Sequence, residues 1–270
     1  MDREPMDFSA LFPNIAAQLR GALGNLHLAA ARLAPAAERE RDPALDARAA
    51  LLDQSYYQLL RLVNNLTAAG LLDREEPYPM LDRDLAETAR DVCGKVRDLA
   101  EMLGIRLEFR NARDQQICAF CRPAIEQLLY QLLSNAFKFT PAGGTVTVEV
   151  KTAGHQVLLS VSDTGCGIEE DQIPYLFDRY LHEEAKASLP HGLGLGLSIC
   201  QHIAERHGGA MMAESKPGQG SRFTLSLPDR RCGQVDVSDV PFDYNGGFNP
   251  VLLALADALP PEAFSQRHLD

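Results

Sequence analysis

The chain has 270 residues, of which 46% are hydrophobic and 23% are charged, as is ordinary for a soluble globular protein. Its formal net charge of -11 and the lack of a Lys/Arg cluster disfavour a nucleic-acid partner. No apolar run approaches the roughly 20 residues of a membrane-spanning helix, and the acidic N-terminus differs from a signal peptide. These features predict a cytoplasmic protein with no membrane segment in this chain.

Two amphipathic helices are predicted first, as an antiparallel helical hairpin over residues 1–72. Apolar residues step by four and three along each helix, which is the seam spacing of a coiled coil or helix bundle. They are Leu19, Leu23, Leu26, Ala30 and Leu33, then Leu52, Tyr56, Leu59, Val63 and Leu66. A loop is predicted at 34–44. Because two helices cannot surround a core, we expect a homodimer with a four-helix bundle; packing of the hairpin on the following domain is the alternative.

Residues 73–228 are predicted to form an α/β domain. Apolar periodicity predicts helices at 81–103, 123–138 and 194–207. Strands are predicted at 105–110, 116–120, 145–151, 156–162, 210–214 and 222–227. The chain as a whole is therefore predicted to be α+β, with a two-layer α/β sandwich whose sheet is mostly antiparallel and whose helices lie on one face. Residues 229–270 form a tail with several prolines and one short apolar run. The tail either docks back as a helix or remains mobile, and the sequence assigns it no role.

Six cysteines are spread along the chain, and only Cys118 and Cys121 lie close together. One CxxC pair can be half a zinc site or a redox pair, but the sequence offers no second pair to complete a metal site. We therefore expect ordinary buried thiols, since free cysteine is among the most often buried residues.

Three short motifs suit nucleotide binding, although each is weak alone. Asp163-Thr-Gly-Cys-Gly-Ile168 follows a strand, where a carboxylate can accept from an amine and glycines admit a flat ligand; a tight turn is the alternative. Gly192-Leu-Gly-Leu-Gly-Leu197 opens a helix, whose N-terminus favours phosphate, or forms a hinge. Gln131, Asn135 and Lys138 share one helix face, as groups for Mg²⁺ and phosphate would; a solvated polar face is the alternative.

The order of the motifs is more specific than any one of them. The Asn/Lys helix is followed by DxGxG, Ile173-Pro-Tyr-Leu-Phe177, GxGxGL and Gly218-Gln-Gly-Ser221. This succession resembles the N, G1, F, G2 and closing-turn boxes of the ATP-binding domain of sensor histidine kinases in two-component systems, within the larger gyrase, MutL and Hsp90 ATPase group. The resemblance implies ATP and Mg²⁺ as ligands and a role in signal transduction.

The resemblance implies three groups of ATP-binding residues. One group would hold Mg²⁺ and phosphate and stand beside the base: Asn135, Lys138 and Phe139. A second would accept from the adenine amine and shape the base pocket: Asp163, Gly165, Gly167 and Ile168. A third would anchor the ATP lid of about residues 178–193 and line the phosphates: Phe177, Gly192, Leu193, Gly194, Leu195, Gly196 and Leu197. Asn135 is the implied metal ligand.

Two positions bear on catalysis: Gln131 differs from the hydrolytic members of the group, and His182 differs from many histidine kinases. Gln131 stands where the gyrase and Hsp90 types have a glutamate that activates water, and an amide cannot be a general base. Steady ATP hydrolysis is therefore not expected. His182 stands where family members often carry an arginine after the F box, and an unperturbed imidazole is mostly neutral at pH 7.

The first helix resembles the family's phospho-accepting helix, N-x-S-H-E-L-R-T-P-L, except at the acceptor. Asn14, Leu19, Arg20 and Leu23 match, which fixes the register. Ala17 replaces the histidine, and a methyl group cannot accept a phosphoryl group. Further departures include Gln18 for the following acid and Gly21-Ala22 for Thr-Pro. Four departures together favour a natural loss over an engineered one, and His27 lies on another face and is not expected to substitute.

Three functions remain open at this point. The leading prediction is a dimeric, ATP-binding, histidine-kinase-like signalling protein that has lost autophosphorylation, in which ATP acts as a conformational ligand. Its partner would be a response regulator or another kinase. The alternatives are an active protein kinase with an unconventional acceptor and a non-catalytic scaffold with a vestigial nucleotide site.

Overall fold

The computed structural model describes residues 8–71, 78–178, 194–234 and 249–269. The chain divides into two compact units. The helical unit holds Met1–Glu75 together with Leu259–Asp270, and the sandwich unit holds Glu76–Ala258. Among the described helices, none combines the length and the apolar character that crossing a membrane requires.

The helical unit is built on an antiparallel pair of helices, α1 (Phe8–Leu33) and α3 (Pro43–Leu71), with a one-turn helix α2 (Ala36–Arg39) between them. The His27 ring stacks on the Tyr56 ring at a centroid distance of 4.5 Å. Arg20 donates to the Thr67 hydroxyl over 2.9 Å, near the other end of the pair. The antiparallel hairpin is therefore as the sequence predicts.

The loop of the hairpin is shorter than predicted. Pro43 begins α3 instead of lying in the loop. A proline costs little at the start of a helix, because the N–H that it lacks would have no intrahelical partner there. The Asp42 carboxylate precedes it and accepts from the backbone N–H groups of Ala44 and Leu45, over 2.9 and 3.2 Å.

Part of the predicted apolar seam is exposed in the single chain. Leu23, Tyr56 and Val63 are buried. Five other leucines of the seam are exposed: Leu19, Leu26, Leu33, Leu52 and Leu59. They recur every seven residues on each helix, which is the period of a coiled-coil interface. The four-helix dimer stays a prediction, with these leucines as its expected contact.

The sandwich unit contains a five-stranded sheet and a separate two-stranded ribbon. Its strands are β1 (Leu81–Asp84), β2 (Arg106–Asn111), β3 (Ile117–Phe120), β4 (Thr145–Ala153), β5 (Gln156–Asp163), β6 (Ala210–Lys216) and β7 (Gly220–Pro228). The large sheet has the order β2-β4-β5-β7-β6, and β1 pairs with β3. Only the β2–β4 pair is parallel among the described pairs, so the sheet is mixed but mostly antiparallel.

Three long helices accompany the sheet: α4 (Leu85–Met102), α5 (Arg122–Phe139) and α6 (Leu195–Arg206). The alternation in β4 explains the layered core, since Val146, Val148 and Val150 are fully buried. The helix predicted from residue 81 was wrong at its start, where β1 pairs with β3. The helix begins only after Asp84, whose carboxylate accepts from Ala86 N–H over 2.9 Å and caps the first turn.

The described end of the tail, residues 249–269, contributes to both units. Helix α7 (Pro250–Leu255) is capped by Asn249 and packs on α5 in the sandwich unit. From Leu259 onward the chain belongs to the helical unit. There a 3-10 turn (Pro261–Phe264) and a short helix α8 (Gln266–Leu269) pack against the hairpin.

Candidate functional site

Helix α5 supplies a polar face at the centre of the site. Its opposite face is apolar and fully buried through Ile125 and Leu128. Gln131 is only 8% exposed, while Asn135 and Lys138 are half-buried. Helix α5 packs against α6, which carries the glycine motif, and against β5, which ends in Asp163.

The end of α5 carries a cation beside an aromatic ring. The Lys138 Nζ lies 5.2 Å from the centroid of the Phe139 ring, within cation–π range. Phe139 is 40% exposed, which is high for a large aromatic side chain. An exposed ring next to an ammonium group can accommodate a flat ligand that carries negative charge.

Asp163, the last residue of β5, is held in place by backbone N–H groups. Its Oδ1 accepts from Gly165 N–H over 2.8 Å and from Ser221 N–H over 3.3 Å. Burial raises the pKa of this carboxyl, and the two hydrogen bonds partly oppose that shift. A partly buried carboxylate anchored through one oxygen is suited to accept a hydrogen bond from a ligand amine.

The two glycines of the DxGxG motif are required by close backbone contacts. A Cβ at Gly165 would overlap the carbonyl oxygen of Phe139, at the end of α5. Gly167 has φ +71°, and a Cβ there would overlap the carbonyl oxygen of Lys216. The motif thus forms a tight turn, as the alternative interpretation predicts. The same turn also holds the Asp163 carboxylate in place.

Ser215 holds this loop, and the sequence analysis did not identify it. Its hydroxyl accepts from Ile168 N–H and donates to the carbonyl of Gly220, both over 2.9 Å. It also lies 3.0 Å from the Ser221 hydroxyl. Ser215 is one residue of a strand with no motif around it, so only the three-dimensional pairing of loop and turn reveals its role.

The glycine motif at the start of α6 is described from Gly194 onward. Gly194 caps the helix in the left-handed region with φ +68°. A Cβ at Gly196 would lie 3.0 Å from Gln131 Oε1, so the first turn of α6 lies against the α5 amide. Leu195 is buried and Leu197 half-buried.

Several predicted residues lie outside the described part of the chain. They are Gly192, Leu193, His182 and the rest of the predicted lid beyond Asp178. Phe177, just before it, is described. Its ring is 6.4 Å from the Phe223 ring in an edge-on arrangement, which fixes the F box against β7.

An open cleft of about 510 Å³ reaches Asp163 from the side of the β6–β7 turn. Its lining consists of Ser162, Asp163, Ile173, Glu214, Ser215, Lys216, Gln219, Gly220, Ser221 and Arg222. Asn135 and Lys138 are not part of this lining. Of the predicted ATP-binding residues, only Asp163 lines this cleft.

The acceptor position is exposed on the helical unit. Ala17 and its altered neighbour Gln18 both face solvent on α1. His27 is different, because its side chain is 27% exposed and its Nδ1 lies 3.8 Å from Asp53 Oδ1. With its ring also stacked on Tyr56, His27 takes part in the packing of the hairpin.

The CxxC pair is buried in the sandwich unit, as predicted. Cys118 is fully buried and Cys121 is 6% exposed. Burial raises the pKa of the Cys118 thiol to about 12. The backbone N–H of Cys121 donates to His207 Nε2 over 3.0 Å. Within the described ranges there is no cluster of three or more His, Cys, Asp or Glu side chains placed to hold a metal ion.

Comparisons with known proteins agree on the family. Residues 122–231 match the family model described as histidine kinase-, DNA gyrase B- and HSP90-like ATPase. The circadian input-output histidine kinase CikA of Synechocystis sp. is 37% identical over 155 residues, which are 54% of this chain and 20% of CikA. The sensor protein IrlS of Burkholderia pseudomallei is 30% identical over 230 residues, 84% of this chain and 48% of IrlS. The chain thus spans less than half the length of either relative.

A solved structure extends the likeness beyond the ATPase domain. Full-length ShkA in complex with AMPPNP superposes with a TM-score of 0.64 at 26% identity. The match covers 81% of this chain and 45% of ShkA. The chain is therefore a member of the sensor histidine kinase-like ATPase family.

Proposed function

We propose that this protein binds Mg-ATP as a conformational ligand in two-component signalling and does not phosphorylate itself. One observation carries the proposal. The acceptor position, Ala17, is exposed on α1 but bears only a methyl group, while the Asp163 loop is held by hydrogen bonds from Gly165 and Ser221 N–H to Asp163 and from Ile168 N–H to the Ser215 hydroxyl. The chain has the residues expected for ATP binding, but it lacks the histidine nucleophile that would accept the phosphoryl group.

The groups proposed to bind the nucleotide lie on α5 and on two elements that pack against it, β5 and α6. Asp163 would accept from the adenine amine, with Phe139 beside the ring. The phosphates would lie at the N-terminus of α6, where backbone N–H groups and the helix dipole favour anions. Lys138 would add a positive charge there. Gly192 and Leu193 complete this proposed phosphate contact with Gly194 and Gly196.

Asn135 fits a magnesium role by the chemistry of its donor. Mg²⁺ commonly keeps several waters and takes one or two protein oxygens together with phosphate oxygens. A single amide oxygen from the half-buried Asn135 meets that requirement. The ion would neutralise phosphate charge, and Asn135 would fix its position relative to α5.

Turnover of the nucleotide is disfavoured in this proposal. Gln131 packs against Gly196, but its amide cannot take a proton from water. With neither a base nor an acceptor, bound ATP would act through its differential affinity for two conformations. ShkA, whose solved structure contains AMPPNP, supports nucleotide occupancy of such a fold.

The partners follow from the hairpin. The exposed leucines, at heptad spacing on α1 and α3, would pair two copies into a four-helix bundle. A response regulator or another kinase would bind this bundle and respond to its state. The cytoplasm is the proposed location.

Two measurements on the intact protein test the proposal. Calorimetric titration with Mg-ATP should give saturable binding, and incubation with γ-labelled ATP should leave no acid-labile label. Absence of binding would favour the scaffold with a vestigial site. Acid-labile label on the wild-type chain would overturn the loss of autophosphorylation and favour a kinase with an unconventional acceptor.

A further inference from the structure

Residues 249–269, the described end of the tail, pack in the sandwich unit at one part and in the helical unit at the other. We call this segment the clasp. Its first docked part is α7, in the sandwich unit. Leu252 is 1% exposed, and Leu255 and Ala256 are fully buried. The helix packs on α5, which is also the helix that presents Asn135 and Lys138.

The second docked part of the clasp lies in the helical unit. Phe264 is fully buried, and its ring is 5.3 Å from the ring of Tyr57 on α3. Ala263 is fully buried and Leu259 is 3% exposed. Removing a large apolar side chain from water is a major source of stability, so Phe264 anchors this part of the clasp.

A buried arginine makes this docking specific. Arg39 is 7% exposed and pairs with Asp46 over 2.8 Å and with Asp53 over 2.7 Å. Its remaining nitrogen, Nη2, donates to the carbonyl of Phe264 over 3.0 Å. A buried guanidinium needs its donors matched. The clasp supplies the carbonyl that matches Nη2.

Two further hydrogen bonds fix the register of the clasp on the hairpin. Gln54 Nε2 donates to the carbonyl of Leu259 over 2.7 Å. The backbone N–H of Gln266 donates to Asp46 Oδ1 over 3.1 Å. Polar contacts therefore hold the segment on both sides of the Phe264 anchor.

The chain between the two docked parts is short. Leu255 ends α7 and Leu259 begins the part that belongs to the helical unit. Four residue steps span at most about 14 Å even when fully extended. The Ala258 N–H also donates to the Leu255 carbonyl over 2.8 Å, which shortens the span. If α7 moves together with α5, the connection is too short to take up the movement, and Leu259 moves as well.

We propose that the clasp transmits the nucleotide state of α5 to the hairpin. This inference rests on the proposed function, because it requires Mg-ATP to bind at α5. A shift of α5 on nucleotide binding moves α7, and the short connection passes that shift to the segment anchored by Phe264 and Arg39. The clasp is then the route by which ATP alters the surface that a partner reads.

Hydrogen exchange of the intact protein, with and without Mg-AMPPNP, tests the clasp. In the wild-type chain, nucleotide should change the exchange of amides in α1 and α3. Phe264→Ala should make the amides of 259–269 exchange about tenfold faster, because local opening costs less free energy. The nucleotide Kd should stay within about twofold of the wild-type value. The response of α1 and α3 to nucleotide should fall below about half.

A second variant and a matched control keep the test sharp. Inserting about eight Gly/Ser residues between Ala258 and Leu259 leaves both docked parts intact but adds slack. It should also remove the hairpin response, even if Phe264→Ala fails to fold. Glu262→Ala changes an exposed residue in the same turn and should behave as wild type.

The outcomes separate the two proposals. A wild-type chain that binds no nucleotide contradicts the proposed function and the clasp together. Binding without any hairpin response in the wild type overturns the clasp alone. A full hairpin response in the insertion variant, or in Phe264→Ala with residues 259–269 shown to be undocked, also overturns it.

Discussion

The base-pocket loop and the acceptor helix belong to the same family pattern but differ in how tightly they are held. The loop from Asp163 to Ile168 is fixed by Ser215 and Ser221, and its glycines have backbone oxygens where side chains would be. The acceptor stretch around Ala17 is exposed, and a Cβ at Gly21 would meet nothing within 4 Å. Packing constrains the loop strongly and the acceptor helix weakly, which fits the proposal that nucleotide binding persists while phosphoryl acceptance is lost.

Restoring a histidine at the acceptor position tests the difference between the two regions most directly. Ala17→His with Gln18→Glu places a nucleophile and an acid on the exposed face of α1. We expect a gain from no label to detectable acid-labile label with γ-labelled ATP, mapped to position 17 by peptide mass spectrometry. Ala29→His, which adds a histidine at another exposed site on α1, should stay unlabelled.

If the double variant binds Mg-ATP and stays unlabelled, the defect extends to the nucleotide site. His182, in place of the family's arginine, would then be the next residue to change.

A pair of glycine substitutions sharpens the comparison through stability. Gly167→Ala should destabilise the protein by about 2–4 kcal/mol, because its backbone is left-handed and a Cβ overlaps the Lys216 carbonyl. Gly21→Ala should stabilise it by about 0.5–1 kcal/mol, since alanine is the better helix former. Urea unfolding measures both. Equal effects would mean that the two regions are packed alike.

Asp163→Asn tests the pocket by affinity. We expect Mg-ATP binding to weaken by about 1–3 kcal/mol, the range for a hydrogen bond to a charged group. Isothermal titration calorimetry provides the measurement. Asp171→Asn, at an exposed position near the same loop, serves as the control. An unchanged affinity in Asp163→Asn would place the base elsewhere.

Lowering the pH should reduce the free energy of unfolding of the sandwich unit, by less than the substitutions above change stability or affinity. Burial lowers the pKa of His207 below its ordinary value of 6.5, so the folded state holds the neutral ring. The unfolded chain then binds the extra proton first. Stability is complete above about pH 6.5 and falls as the pH drops below that value. Urea unfolding at several pH values should show this slope, and His207→Gln should flatten it. An unchanged slope would assign the effect to another group.

Local patterns predicted much of the fold and the family to which the chain belongs. The alternation in β4 follows from burial of one face of the strand. The ordered boxes singled out Asp163, Asn135 and Gly196, whose roles in nucleotide binding stay predictions. β1 was missed because Leu81–Asp84 runs directly into the helix that Asp84 caps, so the apolar period continues across the boundary.

Long-range contacts could not be predicted in the same way. Ser215 carries no motif, and its role arises where β6 meets the loop after β5. The docking of the tail depends on Arg39 and Phe264, which are 225 residues apart in sequence. Neither residue lies in a pattern that indicates the other, so the sequence left open whether the tail docks as a helix and could not predict where it docks.

The separation of Arg39 and Phe264 along the sequence also affects how the chain folds during synthesis. A ribosome that adds about 5–20 residues per second needs about 11–45 s to cover the 225 residues between them. During that interval the hairpin can pair its helices, but Arg39 Nη2 still lacks its carbonyl partner. The final packing around Arg39 therefore waits until Phe264, 225 residues further along the chain, has been synthesised.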